Sequence, residues 1–128
     1  MSILLDTHAY LWFVAGDKQL PQSICDKIID VNQPCFISIA SFWEITIKLQ
    51  LGKLQSAISL QALFDFADQN QIEIIPINQT HLLTLSNLPH HHGDPFDRLI
   101  IAQALSEKLT LVSRDKNFKK YKVKTIWK

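Results

Sequence analysis

The sequence predicts a three-layer α/β/α sandwich around a mostly parallel central sheet of about five strands. Short apolar segments typical of strands alternate along the chain with longer segments of helical periodicity. The first apolar segment, Ile3-Leu4-Leu5, is uninterrupted, which is the pattern of a strand buried on both faces of a parallel sheet. Because 128 residues, 47% of them hydrophobic, suffice for one core, we expect a single domain spanning residues 1–128.

The first half of the chain is predicted to contain, in order, strand 3–5, helices 9–15 and 21–31, strand 34–38, and helices 41–51 and 59–69. Ser41 and Glu44 have the spacing of a capping box, which would place Glu44 in the first turn of its helix. Gly52 is the expected end of that helix, because glycine tolerates the left-handed backbone conformation that follows many helices.

The second half is predicted to contain strand 72–77, helix 80–88, a loop at 89–93, a helix from 94 to 105, and strands 109–113 and 123–127. The start of the last helix is well defined, because Asp94 is a typical N-cap residue and Pro95 suits the first helical position. We therefore assign Asp94 to helix capping and not to a metal.

Composition excludes several classes of protein. Asp6 interrupts the N-terminal apolar run, and no stretch approaches the roughly 18 apolar residues of a membrane span. We therefore expect a soluble cytoplasmic protein with no signal peptide and no membrane partner. Cys25 and Cys35 lack metal-ligand spacing and are too few for a disulfide framework, so they are expected to be reduced core residues.

Charge is distributed unevenly along the chain. Residues 1–107 carry eleven acidic and five basic side chains, whereas residues 108–128 carry eight basic side chains and one acid, Asp115. This charge distribution has two explanations. The basic segment binds phosphates beside an acidic site, or it is a lysine-rich tail that is only solvated.

Four acidic residues occupy equivalent ends of the predicted elements: Asp6, Glu44, Asp97 and Asp115. If they converge, each pair about 4 Å apart repels by about 4 kcal/mol at an effective dielectric constant of about 20. Such a cluster requires a cation, and oxygen ligands favour Mg²⁺ or Mn²⁺. A cation of this kind activates water and polarises a phosphoryl oxygen, so the pattern favours phosphodiester hydrolysis.

Each of the four acids also has a structural alternative. Asp97 would stabilise the helix dipole, and Glu44 would complete the capping box or pair with Lys48 one helical turn away. Asp115 would be a turn residue, and Asp6 would accept hydrogen bonds from backbone amides at the strand end.

Four segments of the sequence, together with the closing residues 121–127, resemble PIN-domain ribonucleases, and in particular the VapC-type toxins of bacterial toxin–antitoxin pairs. The segments are Leu4-Leu5-Asp6-Thr7-His8, Ser38-Ile39-Ala40-Ser41-Phe42-Trp43-Glu44-Ile45, Asp94-Pro95-Phe96-Asp97-Arg98-Leu99-Ile100-Ile101-Ala102-Gln103-Ala104 and Leu111-Val112-Ser113-Arg114-Asp115-Lys116-Asn117-Phe118. The resemblance covers essentially the whole chain. It implies that the four acids form the catalytic and metal-binding quartet. It also implies an RNA substrate, products with 5′-phosphate and 3′-hydroxyl ends, a small antitoxin partner and a homodimer.

Residues beside the quartet have weaker assignments. Thr7 and Ser113 resemble the hydroxyl positions that orient acids or metal-bound water in such enzymes, or they are ordinary strand-end hydroxyls. Three cations are expected to contact RNA phosphates or to be surface charges: Arg98, Arg114 and Lys116. Three consecutive histidines, residues 90–92, point in different directions and are expected to form a solvated loop near the site.

The predicted helix 41–51 is apolar over a wider arc than one core-facing side requires, which suggests that a homodimer or antitoxin contact covers part of it. A second function is considered for the same fold: a non-catalytic RNA-binding or scaffold protein. Loss of a quartet acid would indicate it, and all four are present.

Overall fold

The computed structural model describes residues 1–54 and 58–128. Its centre is a five-stranded sheet with the spatial order β3-β2-β1-β4-β5. The strands are β1 (Ile3–Leu5), β2 (Cys35–Ser38), β3 (Ile72–Ile75), β4 (Thr110–Val112) and β5 (Thr125–Ile126). Every pairing is parallel, so the carboxyl ends of all five strands meet at one edge of the sheet. The predicted α/β class is confirmed.

Six α-helices and one short 3₁₀ helix accompany the sheet in the part of the chain described. The α-helices are α1 (Thr7–Ala15), α2 (Gln22–Ile29), α3 (Ile39–Gln50), α4 (Leu60–Gln69), α5 (Gln79–Ser86) and α6 (Pro95–Glu107), and the 3₁₀ helix spans Lys116–Lys120. Each predicted helix is present, and most boundaries differ from the prediction by one or two residues. No described helix is both long and apolar enough to cross a membrane.

Alternate residues of the central strand pack into two cores on opposite faces of the sheet. Ile3 and Leu5 contact apolar side chains of α1 to α4, whereas Leu4 contacts α6 and the 3₁₀ helix. All three side chains are completely buried. This two-sided burial explains why the strand is apolar at every position and gives the sandwich its three layers.

The start of α3 differs from the prediction. Its N-cap is Ser38, whose hydroxyl accepts a hydrogen bond from the Ala40 amide over 3.0 Å. Strand β2 therefore continues into α3 without a loop, and Ser41 lies inside the helix. The predicted capping box is wrong, and Glu44 belongs to the second turn of α3 rather than the first.

The cysteines behave as structural residues. Both are free thiols, with Cys35 buried in β2 and Cys25 half-buried on α2. Burial raises the pKa of the Cys35 thiol to about 12, so this side chain stays protonated at neutral pH.

Candidate active site

The carboxyl edge of the sheet positions the first of the four acids. Asp6 directly follows β1, and its amide donates to the Val112 carbonyl at the end of β4. Its Oδ1 accepts from the Ala9 amide over 2.8 Å, which caps α1. Burial raises the pKa of Asp6, while the Ala9 amide and the Ser113 hydroxyl partly offset this by stabilising the ionised form.

Glu44 reaches the same edge from α3 and is held on both of its oxygens. The Thr7 hydroxyl lies 2.7 Å from Oε1 and donates to it. The Lys48 ammonium lies 3.3 Å from Oε2, one helical turn further along α3. Thr7 and Glu44 are both buried. The Thr7 hydroxyl therefore fixes the direction of the Glu44 carboxylate, and the Lys48 ammonium balances its charge.

Asp97 lies within electrostatic range of the other three predicted acids. Burial raises the pKa of its carboxyl to about 8, and the nearby charges of four other acids add to this rise: Asp94, Glu44, Asp6 and Asp115. Three of those four are the remaining acids of the predicted quartet. Asp97 itself makes no cap: the first turn of α6 is capped by Asp94, whose Oδ1 accepts from the Phe96 and Asp97 amides.

Asp115 uses its two oxygens differently. Oδ1 accepts from the Asn117 amide over 2.9 Å and caps the 3₁₀ helix, whereas Oδ2 lies 3.4 Å from His92 Nε2. Its own amide donates to the Ser113 hydroxyl over 3.0 Å. The turn role considered for Asp115 and its place in the cluster are therefore compatible, because one carboxylate serves both.

His92 lies inside the acid cluster, which the prediction of a solvated histidine loop did not anticipate. Its Nε2 is 3.0 Å from Asp97 Oδ2 and 3.4 Å from Asp115 Oδ2, and its side chain is only 16% exposed. His90 and His91 are exposed, as expected. The expectation of a solvated loop is therefore wrong for His92 alone, whose side chain is directed inward by the turn before Asp94.

Tyr121 holds the histidine loop in place. Its hydroxyl accepts from the amides of His91 and His92 over 3.1 and 2.9 Å, and from Arg98 Nη1 over 3.1 Å. The Arg98 guanidinium also donates to the Pro89 carbonyl over 2.9 Å. The buried phenol thus connects the basic C-terminal segment to the backbone that carries His92.

Replacing Tyr121 with phenylalanine is expected to lower the free energy of unfolding by about 1–3 kcal/mol, because several loop donors lose their acceptor. Urea denaturation measures the change. Tyr10→Phe is the matched control, since it removes another buried tyrosine hydroxyl, one that donates to the Leu63 carbonyl. Equal stability of Tyr121→Phe and the wild type would show that the hydroxyl does not hold the loop.

The three predicted phosphate-binding cations have different surroundings. Arg98 is engaged with the loop, and the exposed Arg114 stacks its guanidinium 4.5 Å from the Trp12 ring centroid. Arg114 Nη1 also donates to Gln19 Oε1 over 3.2 Å. Lys116 is exposed at the start of the 3₁₀ helix.

The donor set of the cluster fits a hard divalent cation. A ring nitrogen of His92 and carboxylate oxygens of Asp97 and Asp115 lie within 4.8 Å of one another. The pKa of Asp97 is raised by burial first and by the neighbouring acids second, so the protein does not stabilise the ionised form of this carboxyl and a cation would. Carboxylate oxygens with partial burial and excess negative charge match Mg²⁺ or Mn²⁺ better than a thiolate-binding metal.

The fold and this cluster define a class: an α/β domain with a carboxylate centre at the carboxyl edge of a parallel sheet. Residues 3–124 match the PIN domain family. The chain belongs to that family, which confirms the resemblance found in the sequence.

Individual relatives agree with this assignment. The chain is 25% identical over 122 residues to Ribonuclease VapC22 of Mycobacterium tuberculosis (strain ATCC 25618 / H37Rv), covering 94% of this chain and 92% of the relative. A chain of VapBC2 from Rickettsia felis, bound to a promoter DNA fragment, has a TM-score of 0.75 at 18% identity, covering 98% of each chain. For VapBC-1 of nontypeable Haemophilus influenzae the TM-score is 0.69 at 16% identity, covering 98% and 97%.

Proposed function

We propose that this chain is a single-domain, divalent-metal-dependent endoribonuclease that acts as the toxin of a toxin–antitoxin pair. The observation that carries the proposal is the close approach of Asp97 and Asp115 at the carboxyl edge of the sheet, with Asp6 and Glu44 near enough for their charges to raise the pKa of Asp97. Such an arrangement is costly to the protein without a cation and is therefore expected at a catalytic centre. Membership of the PIN family supports the nuclease assignment.

The names of the relatives support a substrate class. Ribonuclease VapC22 is named for cleavage of RNA, and this chain aligns with nearly its full length. The solved structures that share the fold include chains of VapBC complexes and a toxin–antitoxin complex from Klebsiella pneumoniae. We infer from these relatives that RNA is the substrate and that a small antitoxin is the partner.

The proposed roles follow from the contacts at the site. The residues that would hold Mg²⁺ or Mn²⁺ and act as the catalytic acids are Asp6, Glu44, Asp97 and Asp115. The bound cation would lower the pKa of a coordinated water and offset charge on the phosphate. Thr7 fixes the direction of Glu44 by donating to Oε1, and Ser113 hydrogen-bonds Asp6 and so favours its ionised form.

Basic side chains near the quartet would position the RNA. Arg114 and Lys116 are exposed on either side of Asp115, and we propose that they contact phosphates. Arg98 would contact a phosphate only through the N–H groups that are not bound to Pro89 and Tyr121.

An apolar surface formed by α3 and its C-cap residue, Leu51, supports the proposal of protein partners. Trp43 and Leu51 are 57% and 61% exposed, and the Trp43 ring contacts Phe96 edge-on at 5.0 Å. Exposed side chains of this size are common where another chain binds. We propose that an antitoxin segment or a second copy of the chain covers this surface, and that the complex functions in the cytoplasm.

Cleavage of 5′-labelled RNA tests the proposed activity. Purified protein, freed of any partner, is incubated with structured and unstructured RNA in Mg²⁺, in Mn²⁺ and in chelator. Cation-dependent cutting that leaves 5′-phosphate and 3′-hydroxyl ends is expected. Binding of RNA without cutting in either cation would favour a non-catalytic RNA-binding protein.

Mg²⁺ or Mn²⁺ is also expected to stabilise the protein. A cation that binds the folded state alone adds about 2.7 kcal/mol at a concentration a hundredfold above its Kd. The melting temperature should therefore rise with cation concentration and return to its starting value after chelation, as measured by differential scanning calorimetry. K⁺ at matched ionic strength is the control, and an equal rise in K⁺ would exclude a specific cation site.

A further inference from the structure

The hydrogen bonds of His92 define which ring nitrogen faces the acids. The Asp94 amide donates to His92 Nδ1 over 3.2 Å. In a neutral imidazole whose Nδ1 accepts a hydrogen bond, the proton is carried by Nε2. The N–H of His92 is therefore directed at the side of the ring where the oxygens of Asp97 and Asp115 lie.

Nε2 of His92 is shut off from solvent and makes no hydrogen bond to any of the described residues, although carboxylate oxygens of Asp97 and Asp115 lie close to it. The distances of 3.0 Å to one oxygen and 3.4 Å to the other put both carboxylates within reach of this one donor, so a small rotation of the ring would let the two share it. The repulsion between these two carboxylates is reduced by a donor between them, because the positive end of the N–H dipole faces both.

Three further contacts hold the ring in this position. The Tyr121 hydroxyl binds the backbone amide of His92, the Asp94 amide binds Nδ1, and the Phe118 ring lies 5.9 Å from the imidazole, centroid to centroid. Neither His90 nor His91 makes a contact of this kind with an acid among the described residues. The placement of His92 is thus built by several separate parts of the chain.

We propose that His92 is a positioning residue of the cation site, whose Nε2–H holds the carboxylates of Asp97 and Asp115 at the separation that a divalent cation requires. The proposal rests on the proposed function and deepens it, because it concerns the same site. Donation to one oxygen of each carboxylate leaves lone pairs available to a cation. Hydrogen bonds to ligating carboxylates commonly determine metal affinity.

Three variants test this role: His92→Ala, His92→Gln and His90→Ala. The side-chain amide of glutamine places an N–H donor about where Nε2 of histidine lies, but its nitrogen is a poor metal ligand. His90→Ala is the control, because His90 is an exposed histidine in the same loop. Isothermal titration calorimetry with Mg²⁺ and with Mn²⁺ gives the Kd of each protein, and melting in chelator gives its cation-free stability.

We expect His92→Ala to weaken the binding of both cations by about 10-fold or more, and His92→Gln to recover most of that loss. His90→Ala should bind as the wild type does. An unchanged Kd for His92→Ala, with a lower melting temperature in chelator, would show a merely structural residue and overturn the proposal.

Two other results would also overturn it. Loss of Mn²⁺ binding exceeding loss of Mg²⁺ binding in both His92 variants would identify a direct nitrogen ligand, since imidazole favours Mn²⁺ over Mg²⁺. Absence of cation binding by the wild type would refute the cation site of the proposed function, and the role of His92 with it. The unchanged Kd of His92→Ala named above, in contrast, would refute the role of His92 and leave the cation site intact.

Discussion

Asp6→Asn is expected to lower cation-dependent RNA cleavage by about 10²-fold or more. Loss of a residue that only orients a metal ligand costs about 10- to 100-fold, so loss of a ligand's charge should cost at least the upper value. Asparagine is as good an N-cap as aspartate, so the hydrogen bond that Asp6 accepts from the Ala9 amide can be kept. The variant therefore removes the charge while preserving the start of α1.

Initial rates of cleavage in Mg²⁺ and in Mn²⁺ measure this effect, with circular dichroism to verify that the variant is folded. Asp68→Asn is the matched control, because Asp68 is an exposed acid on α4 and lies outside the cluster. Equal cleavage by the wild type, Asp6→Asn and Asp68→Asn would indicate a contaminating nuclease and remove the support for the quartet.

Asp97→Asn is expected to raise the stability of the folded protein in chelator. It should also abolish the rise in melting temperature that Mg²⁺ or Mn²⁺ is expected to cause in the wild type. The folded state raises the pKa of Asp97 from 3.8 to about 8, so the folded chain retains a proton that the unfolded chain releases within this interval. The retained proton therefore stabilises the folded state at the low end of this pH interval, and that contribution is lost as pH rises through about 8. The asparagine variant has no charge to bury and avoids this loss.

The expected gain at pH 8–9 is about 2 kcal/mol, which is less than the full shift would give because the carboxyl is partly exposed to solvent. A gain of this size corresponds to a rise in melting temperature of about 5–10 °C. Melting curves of both proteins in chelator between pH 5 and 9 measure it, and the difference should grow with pH. A large destabilisation of Asp97→Asn would instead assign Asp97 a structural role at the start of α6.

Local patterns in the sequence were sufficient for most of the fold. The apolar Ile3-Leu4-Leu5 segment predicts a strand buried on both faces, and Asp94-Pro95 predicts the start of α6. These predictions succeed because strand burial and helix capping depend on residues that are adjacent or a few positions apart. The capping box at Ser41 failed because Ser38, at the end of β2, caps the same helix three residues earlier.

The sequence by itself determined the alternation of strands and helices, the candidate quartet and the resemblance to PIN ribonucleases. Only the tertiary structure decided which of three consecutive histidines enters the acid cluster and that Arg98 serves the loop rather than the solvent. These contacts join His92 to Asp115 and Arg98 to Tyr121, residues about twenty positions apart in the chain. Their geometry depends on how α6, the histidine loop and the C-terminal segment pack together, and no local periodicity or capping pattern encodes that packing.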